Sequence, residues 1–103
     1  MASTEPGLRI LAPATIEDAR HMLAPALADP NPVLIFEHVM LYNVEAELDE
    51  RIDAVDITHA SIRRAGTDVT VVTYGGSLPR ALAAADTLAA EGIAAEVIDL
   101  RVL

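Results

Sequence analysis

Three histidines, His21, His38 and His59, are set among sixteen aspartates and glutamates, residue types that bind divalent metals or relay protons. Their spacing supports neither use. No two histidines stand four residues apart, and the chain has no cysteine, so thiolate metal sites and disulfides are excluded. Glu37 and His38 form the one acid and imidazole pair in a promising place, directly after the apolar run Val33 to Phe36. In open α/β sheets the C-terminal ends of strands are where ligands gather. Neighbours along a strand point to opposite faces, however, so the pair cannot act together on one substrate, and a structural use is favoured. Tyr74-Gly75-Gly76-Ser77 precedes a helical pattern and could turn backbone N–H groups toward an anion. It lacks the Gly-Lys-Ser/Thr of a phosphate loop and the third glycine of a dinucleotide fingerprint, and a tight turn capped by Ser77 is the favoured reading. Arg63-Arg64 reads as a solvated strand edge that blocks pairing with other sheets. No catalytic or cofactor-binding residue is assigned from these patterns.

Bulk properties narrow the partners. A net charge of -9, from 16 acids against 7 bases, is the opposite of the basic footprint that a phosphate backbone requires, so nucleic acid is excluded as a partner. The longest uncharged run, Val69 to Pro79, is too short to span a membrane, and Met1 to Gly7 lacks the basic start and apolar stretch of an export signal. The expected compartment is the cytoplasm. Hydrophobic residues make up 52% of the chain but aromatics only 3%, so the core must be built from Ala, Val, Leu and Ile, as in helices layered on a β-branched sheet.

The elements that position these residues follow from periodicity and punctuation. Leu8 to Ala12 reads as a short buried strand between Pro6-Gly7 and Pro13. Thr15 caps a helix whose apolar face is Ile16, Ala19, Leu23, Ala26 and Leu27, with Pro25 predicted to kink or shorten it. Asp29-Pro30-Asn31-Pro32 stops that helix, and Val33 to Phe36 follows as a strand covered on both faces. Glu45 to Asp56 carries six acids and one base with little periodicity, and reads as a solvated connector between two halves of similar plan. Ile57 to Arg63 alternates as an edge strand and is expected to turn at Ala65-Gly66 into Asp68 to Tyr74 as a hairpin. A helix to Glu91 has the inner stripe Leu78, Ala81, Leu82, Ala85, Leu88 and Ala89. Gly92 ends it, and Ala95 to Leu100 is the last strand. A parallel strand pair is normally buried on both faces, and each half offers a single helix to cover it. The expectation is therefore a piece of a larger α/β protein, with unfinished sheets that self-associate.

In this order, PGLRILAPATIEDARHML, PVLIFEHVMLY and GTDVTVVTYGGSLPRALAAADTLAAEGIAAEVIDLRVL resemble successive stretches of the β subunit of the E1 component of thiamine diphosphate-dependent 2-oxo acid dehydrogenases, the pyruvate, branched-chain and acetoin enzymes. The resemblance covers nearly the whole chain from Pro6. It implies an α/β fold of two partial transketolase-type lobes, each a strand-helix-strand unit with mostly parallel strands plus a hairpin edge. Residues 1–45 would be the end of a pyrimidine-binding domain, 46–55 an acidic linker, and 56–103 the opening of a transketolase C-terminal domain. The implied activity is oxidative decarboxylation of a 2-oxo acid such as pyruvate, with acyl transfer to lipoamide. The implied partners are an E1 α subunit and an E2 acyltransferase. Thiamine diphosphate and Mg²⁺ belong to the complete enzyme. The glutamate that activates thiamine would lie upstream of the matched stretch and the diphosphate signature on the α subunit, so the isolated chain is expected to be inactive. Glu37, His38 and Tyr42 match a region near subunit contacts.

The resemblance also implies a potassium site at Ala26, Leu27, Asp29 and Asn31, where main-chain oxygens at a helix C-terminus suit a hard cation. The same residues serve equally as a helix stop and a proline turn, which is the favoured reading. Two other functions stay open: a noncatalytic, self-associating interaction module, and a fragment of another transketolase-like enzyme such as a deoxyxylulose phosphate synthase.

Overall fold

A computed structural model describes residues 7–52 and 55–103. Met1 to Pro6, within the stretch read for an export signal, and Asp53, one of the six connector acids, lie outside the described residues. The first lobe runs β1 (Arg9–Leu11), α1 (Ile16–His21), α2 (Leu23–Ala28), β2 (Val33–Ile35) and a 3-10 turn at Val39–Leu41. The second runs β3 (Ser61–Arg64), β4 (Val69–Thr73), a 3-10 turn at Gly75–Ser77, α3 (Leu78–Ala90) and β5 (Ala95–Asp99). The mixed α/β class, with parallel strands and few helices, agrees with the sequence reading.

Local chemistry sets the boundaries of these elements. Thr15 is extended, and its hydroxyl accepts the backbone N–H of Asp18, which places Glu17 and Asp18 at the positive end of α1. Pro25 has no N–H to continue the ladder, and the expected long helix divides at Met22 into α1 and α2. Asp29 then leaves helical geometry, and its carboxylate accepts the Asn31 N–H to close the turn before Pro32. Gly92, at φ 81°, gives α3 its left-handed exit. Ser77 does not cap α3 with its side chain, because it is already helical (φ -81°, ψ -13°) after a turn made at Gly75 (φ 56°).

β1 pairs in parallel with β2, Ile10 opposite Leu34. The second sheet has the order β3-β5-β4, with β4 and β5 parallel and α3 as their crossover. The expected hairpin is therefore corrected: β3 is an antiparallel edge strand, but its partner is β5, through Ser61 to Asp99 and Ile62 to Ile98. The reason lies in the connection. Gly66 passes so close to β5 that a Cβ there would meet the Ala95 carbonyl carbon at 2.2 Å. Asp68 and Ala94 then exchange two bonds, Asp68 N–H to the Ala94 carbonyl at 2.9 Å and Ala94 N–H to the Asp68 carboxylate at 2.7 Å. The chain crosses the start of β5 instead of doubling back, and β5, with Ala95, Val97 and Asp99 buried, takes the centre of the sheet.

Among the described residues two apolar cores result. In one, Leu78 and Ala85 of α3 pack on Ala95 and Val97 of β5, with Val71, Ala81, Leu82 and Leu88 around them. In the other, Leu11, Met22 and Ala26 of the first lobe pack with Val55, Ile57 and Val102, so this core is shared between the lobes. The end of the acidic stretch is thus not a free connector: Val55 and Ile57 are buried although 45–52 is largely exposed. The main chain joins the lobes as well. Val102 bridges Leu11 antiparallel, Ala12 N–H donates to the Arg101 carbonyl at 2.8 Å, and Leu103 N–H donates to the Ile10 carbonyl at 2.9 Å. β2 is less covered than its apolar run predicts, with Leu34 38% and the following Phe36 57% exposed.

Candidate functional site

The most concentrated charge in the molecule sits inside it, at the lobe junction. Asp18 of α1 and Asp99 of β5 are both fully buried. Arg63 of β3 bridges them: its Nη2 donates to Asp18 Oδ2 at 2.6 Å and to Asp99 Oδ2 at 2.8 Å, and its Nε donates to Asp99 Oδ2 at 3.0 Å. Arg101 completes the set, with Nη2 3.2 Å from Asp18 Oδ1. Asp18 Oδ1 and Arg101 Nε nonetheless lack hydrogen-bond partners. Burial pushes the Asp18 carboxyl up from its ordinary value and Asp99 adds repulsion, against the pull of both arginines. Arg63 is accordingly not the solvated edge residue expected from sequence. Its side chain is 17% exposed, because two buried carboxylates repay its desolvation. Arg64, its neighbour, turns outward to Asp86 on α3. The signal for the cluster is present in the sequence: Asp99 is an acid set between the apolar residues Val97-Ile98 and Leu100.

Beside the junction the strand ends of the two lobes face each other across a cleft of about 660 Å³, walled by Phe36, Glu37 and His38 on one side and Val72 to Ser77 on the other. This brings together two segments that sequence reading treated separately. A Cβ on Gly76 would lie 2.4 Å from His38 Cγ, so only glycine lets the turn approach the imidazole this closely. His38 Nδ1 accepts the Met40 N–H at 3.2 Å, so the proton of the neutral ring is carried on Nε2. Glu37 is engaged elsewhere. Its carboxylate accepts the Tyr42 hydroxyl at 2.8 Å, and this bond raises the phenol's pKa. Both residues lie beyond the end of β2, and both also line a second cavity of about 300 Å³ against Pro13, Thr15 and Ile16 of the same lobe.

The four positions of the expected potassium site gather at the end of α2. The Ala26 carbonyl accepts the Asp29 N–H at 3.3 Å, and Leu27 is 77% exposed. Asp29 is occupied: Oδ1 accepts the backbone and side-chain N–H groups of Asn31, and Oδ2 accepts Arg9 Nε at 2.6 Å. The Asn31 backbone bond, then Arg9, hold the Asp29 carboxyl below its usual range. Among the described residues no three His, Asp or Glu side chains converge as a metal site. His59 instead joins Asp56 and Thr58 in a local exposed turn, with His59 Nδ1 2.6 Å from Asp56 Oδ2. The bonds from Thr58, with His59 behind them, hold Asp56 down to about 2. Thr58 Oγ1 lies 2.9 Å from the same His59 Nδ1 that faces Asp56, so one ring nitrogen meets both groups and the trio is a turn clamp.

Among the described residues no helix is long and apolar enough to cross a membrane. Residues 58–103 match the family model of the transketolase C-terminal domain. The chain is 47% identical, over 95% of its own length and 29% of the relative's, to the acetoin:2,6-dichlorophenolindophenol oxidoreductase β subunit of Cupriavidus necator. It is 37% identical over 98% of its length to the pyruvate dehydrogenase E1 component β subunit of Bacillus subtilis, and 41% identical over 96% to the 2-oxoisovalerate dehydrogenase β subunit of the same organism, covering 31% of each. A solved structure described as a split-gene transketolase in an inactive β4 tetramer superposes with a TM-score of 0.77 at 27% identity, over 97% of this chain and 32% of that one. The chain thus spans about 30% of the length of the relatives it matches. It is similar across both lobes to E1 β subunits of 2-oxo acid dehydrogenases, and its second lobe to the transketolase C-terminal domain.

Proposed function

We propose that the chain serves as part of the E1 β subunit of a 2-oxo acid dehydrogenase complex, in which a 2-oxo acid such as pyruvate is oxidatively decarboxylated and the acyl group passes to lipoamide. Its share is the end of the pyrimidine-binding domain (1–45), the acidic linker (46–55) and the opening of the transketolase C-terminal domain (56–103). Thiamine diphosphate, with Mg²⁺, supplies the carbanion chemistry in the complete enzyme, and this chain supplies orientation and assembly surface. The partners on this reading are an E1 α subunit and an E2 acyltransferase, and the compartment is the cytoplasm. The observation that carries the reading is 47% identity sustained over 95% of the chain. At the end of α2, the carbonyls of Ala26 and Leu27 with Asp29 and the Asn31 amide oxygen are hard donors of the kind potassium takes, and would hold it there.

Calorimetric titration of thiamine diphosphate tests the proposal, on the chain alone and after mixing with the α subunit of an acetoin or pyruvate dehydrogenase. The expected result is no binding heat alone, and an α complex in light scattering. Cofactor binding by the lone chain, or failure to associate with any such α subunit, would sink it.

A second reading is favoured by exposed Phe36, Met40, Tyr42, Val72 and Tyr74, each more than half accessible. On this reading the chain self-associates as a noncatalytic module, and a stable homo-oligomer indifferent to α subunits would select it. The split-gene transketolase likeness supports a third, a piece of another transketolase-like enzyme, which sequencing of the flanking reading frames separates.

A further inference from the structure

We propose that Asp18, Arg63, Asp99 and Arg101 form an orientation lock, which holds the two lobes in one relative register and thereby fixes the cleft between His38 and Gly76. Asp18 is the member contributed by the first lobe, and the other three come from the second. An ion set of this kind is a poor device for stability alone. Buried charges roughly break even against well-packed apolar side chains, and here Asp18 Oδ1 and Arg101 Nε go without hydrogen-bond partners. What the set does specify is geometry. A planar guanidinium shared between two buried carboxylates tolerates little rotation, whereas an apolar contact can slide.

The backbone around the quartet carries the same constraint toward the cleft. Arg101 is held in the left-handed region at φ 59°, the one non-glycine described there. Its N–H donates to Asp99 Oδ1 at 3.2 Å, and its carbonyl accepts the Ala12 N–H at 2.8 Å. Next to it, Leu100 N–H donates to the Thr73 carbonyl at 2.8 Å, and Phe36 N–H donates to the Leu11 carbonyl at 2.9 Å. The segment from Asp99 to Arg101 therefore stands between the two walls of the cleft. A shift of α1 against β3 and β5 moves Thr73 to Gly76 relative to Phe36 to His38.

The chain has no cysteine of its own, so one engineered pair reports this geometry unambiguously. His38→Cys with Gly76→Cys places two Cβ atoms within disulfide reach across the cleft. The pair is expected to oxidise readily in the otherwise unchanged chain. Adding Asp18→Asn is expected to slow cross-linking about tenfold or more, as the aligned state loses population. The apolar replacement Asp18→Leu with Arg63→Met removes one charge of each sign and leaves Asp99 and Arg101 to balance each other, so it should keep the circular dichroism of the fold and still slow the cross-link. Equal rates in all backgrounds would overturn the lock. So would failure of the starting pair to form, or complete loss of structure in both variants, which would make the quartet a requirement of the fold as a whole.

Discussion

The lobe junction and the open face beside it invert the usual distribution of side chains. At the junction four charged residues are enclosed, with the carboxylates of Asp18 and Asp99 at zero exposure. On the open face, Met40 at 70% and Tyr42 at 65% exposure stand in solvent. Polarity alone decides neither outcome. Arg63 is buried because two acceptors lie at the distance its fork requires, and Phe36, Met40, Val72 and Tyr74 are exposed because no element of the described chain lies over them. Enclosed charge at one place and apolar surface at the other mark, respectively, a contact completed within the chain and a face that no described element covers.

The sharpest way to break this contrast is to remove the bridging cation. Arg63→Met leaves two buried carboxylates facing only Arg101, and should cost about 3–5 kcal/mol in urea denaturation. The double replacement with Asp18→Leu should recover most of that loss. Next in size, Leu11→Ala opens a cavity in the core shared by both lobes, where Leu11 has zero exposure, and should cost about 2–5 kcal/mol. On the open face the same class of change should do little to stability. Phe36→Ser with Met40→Ser is expected to stay within about 0.5 kcal/mol per site while lowering the mass seen by light scattering. A large destabilisation there would mean the face is part of the core.

The smallest expected effect sharpens the comparison through pH. Asp56, exposed and held at about 2, contributes stability that is complete above its unfolded value of 3.8 and is lost as pH falls toward 2. Asp18 has the opposite sign. Its folded value is raised, so the native state keeps the proton longer, and stability declines as pH rises from 3.8 through that raised value. Acid titrations of Asp56→Asn and Asp18→Asn should therefore lose slopes of opposite direction, and slopes of one sign would contradict this assignment.

The local elements were legible because their signals are local. Thr15 three residues before Asp18, Pro25 inside an apolar stripe and Gly92 after one each act within a turn of chain, and each does what its chemistry predicts. Strand order was not legible. The alternation from Ile57 to Arg63 predicts an edge strand, but nothing in it says which strand it meets, and the nearby Gly66 suits a hairpin and a close crossing alike. The charge cluster was missed for the same reason. Asp18, Arg63 and Asp99 each have a sufficient explanation one at a time, as dipole partner, edge charge and strand end, and only their convergence makes them a unit. The cleft was half legible: Glu37-His38 and Tyr74 to Ser77 were both recognised as strand-end segments, while their approach depends on how the lobes meet.

The pairing of Val102 with Leu11 has a consequence for how the polypeptide reaches this state. These partners are separated by about ninety residues, and closing so long a loop is slow compared with local helix formation. During synthesis β1 leaves the ribosome about ninety residues ahead of its second neighbour. Until then the Leu11 edge is an unpaired, apolar strand, the kind of surface that chaperones bind and that misassembles with other nascent chains.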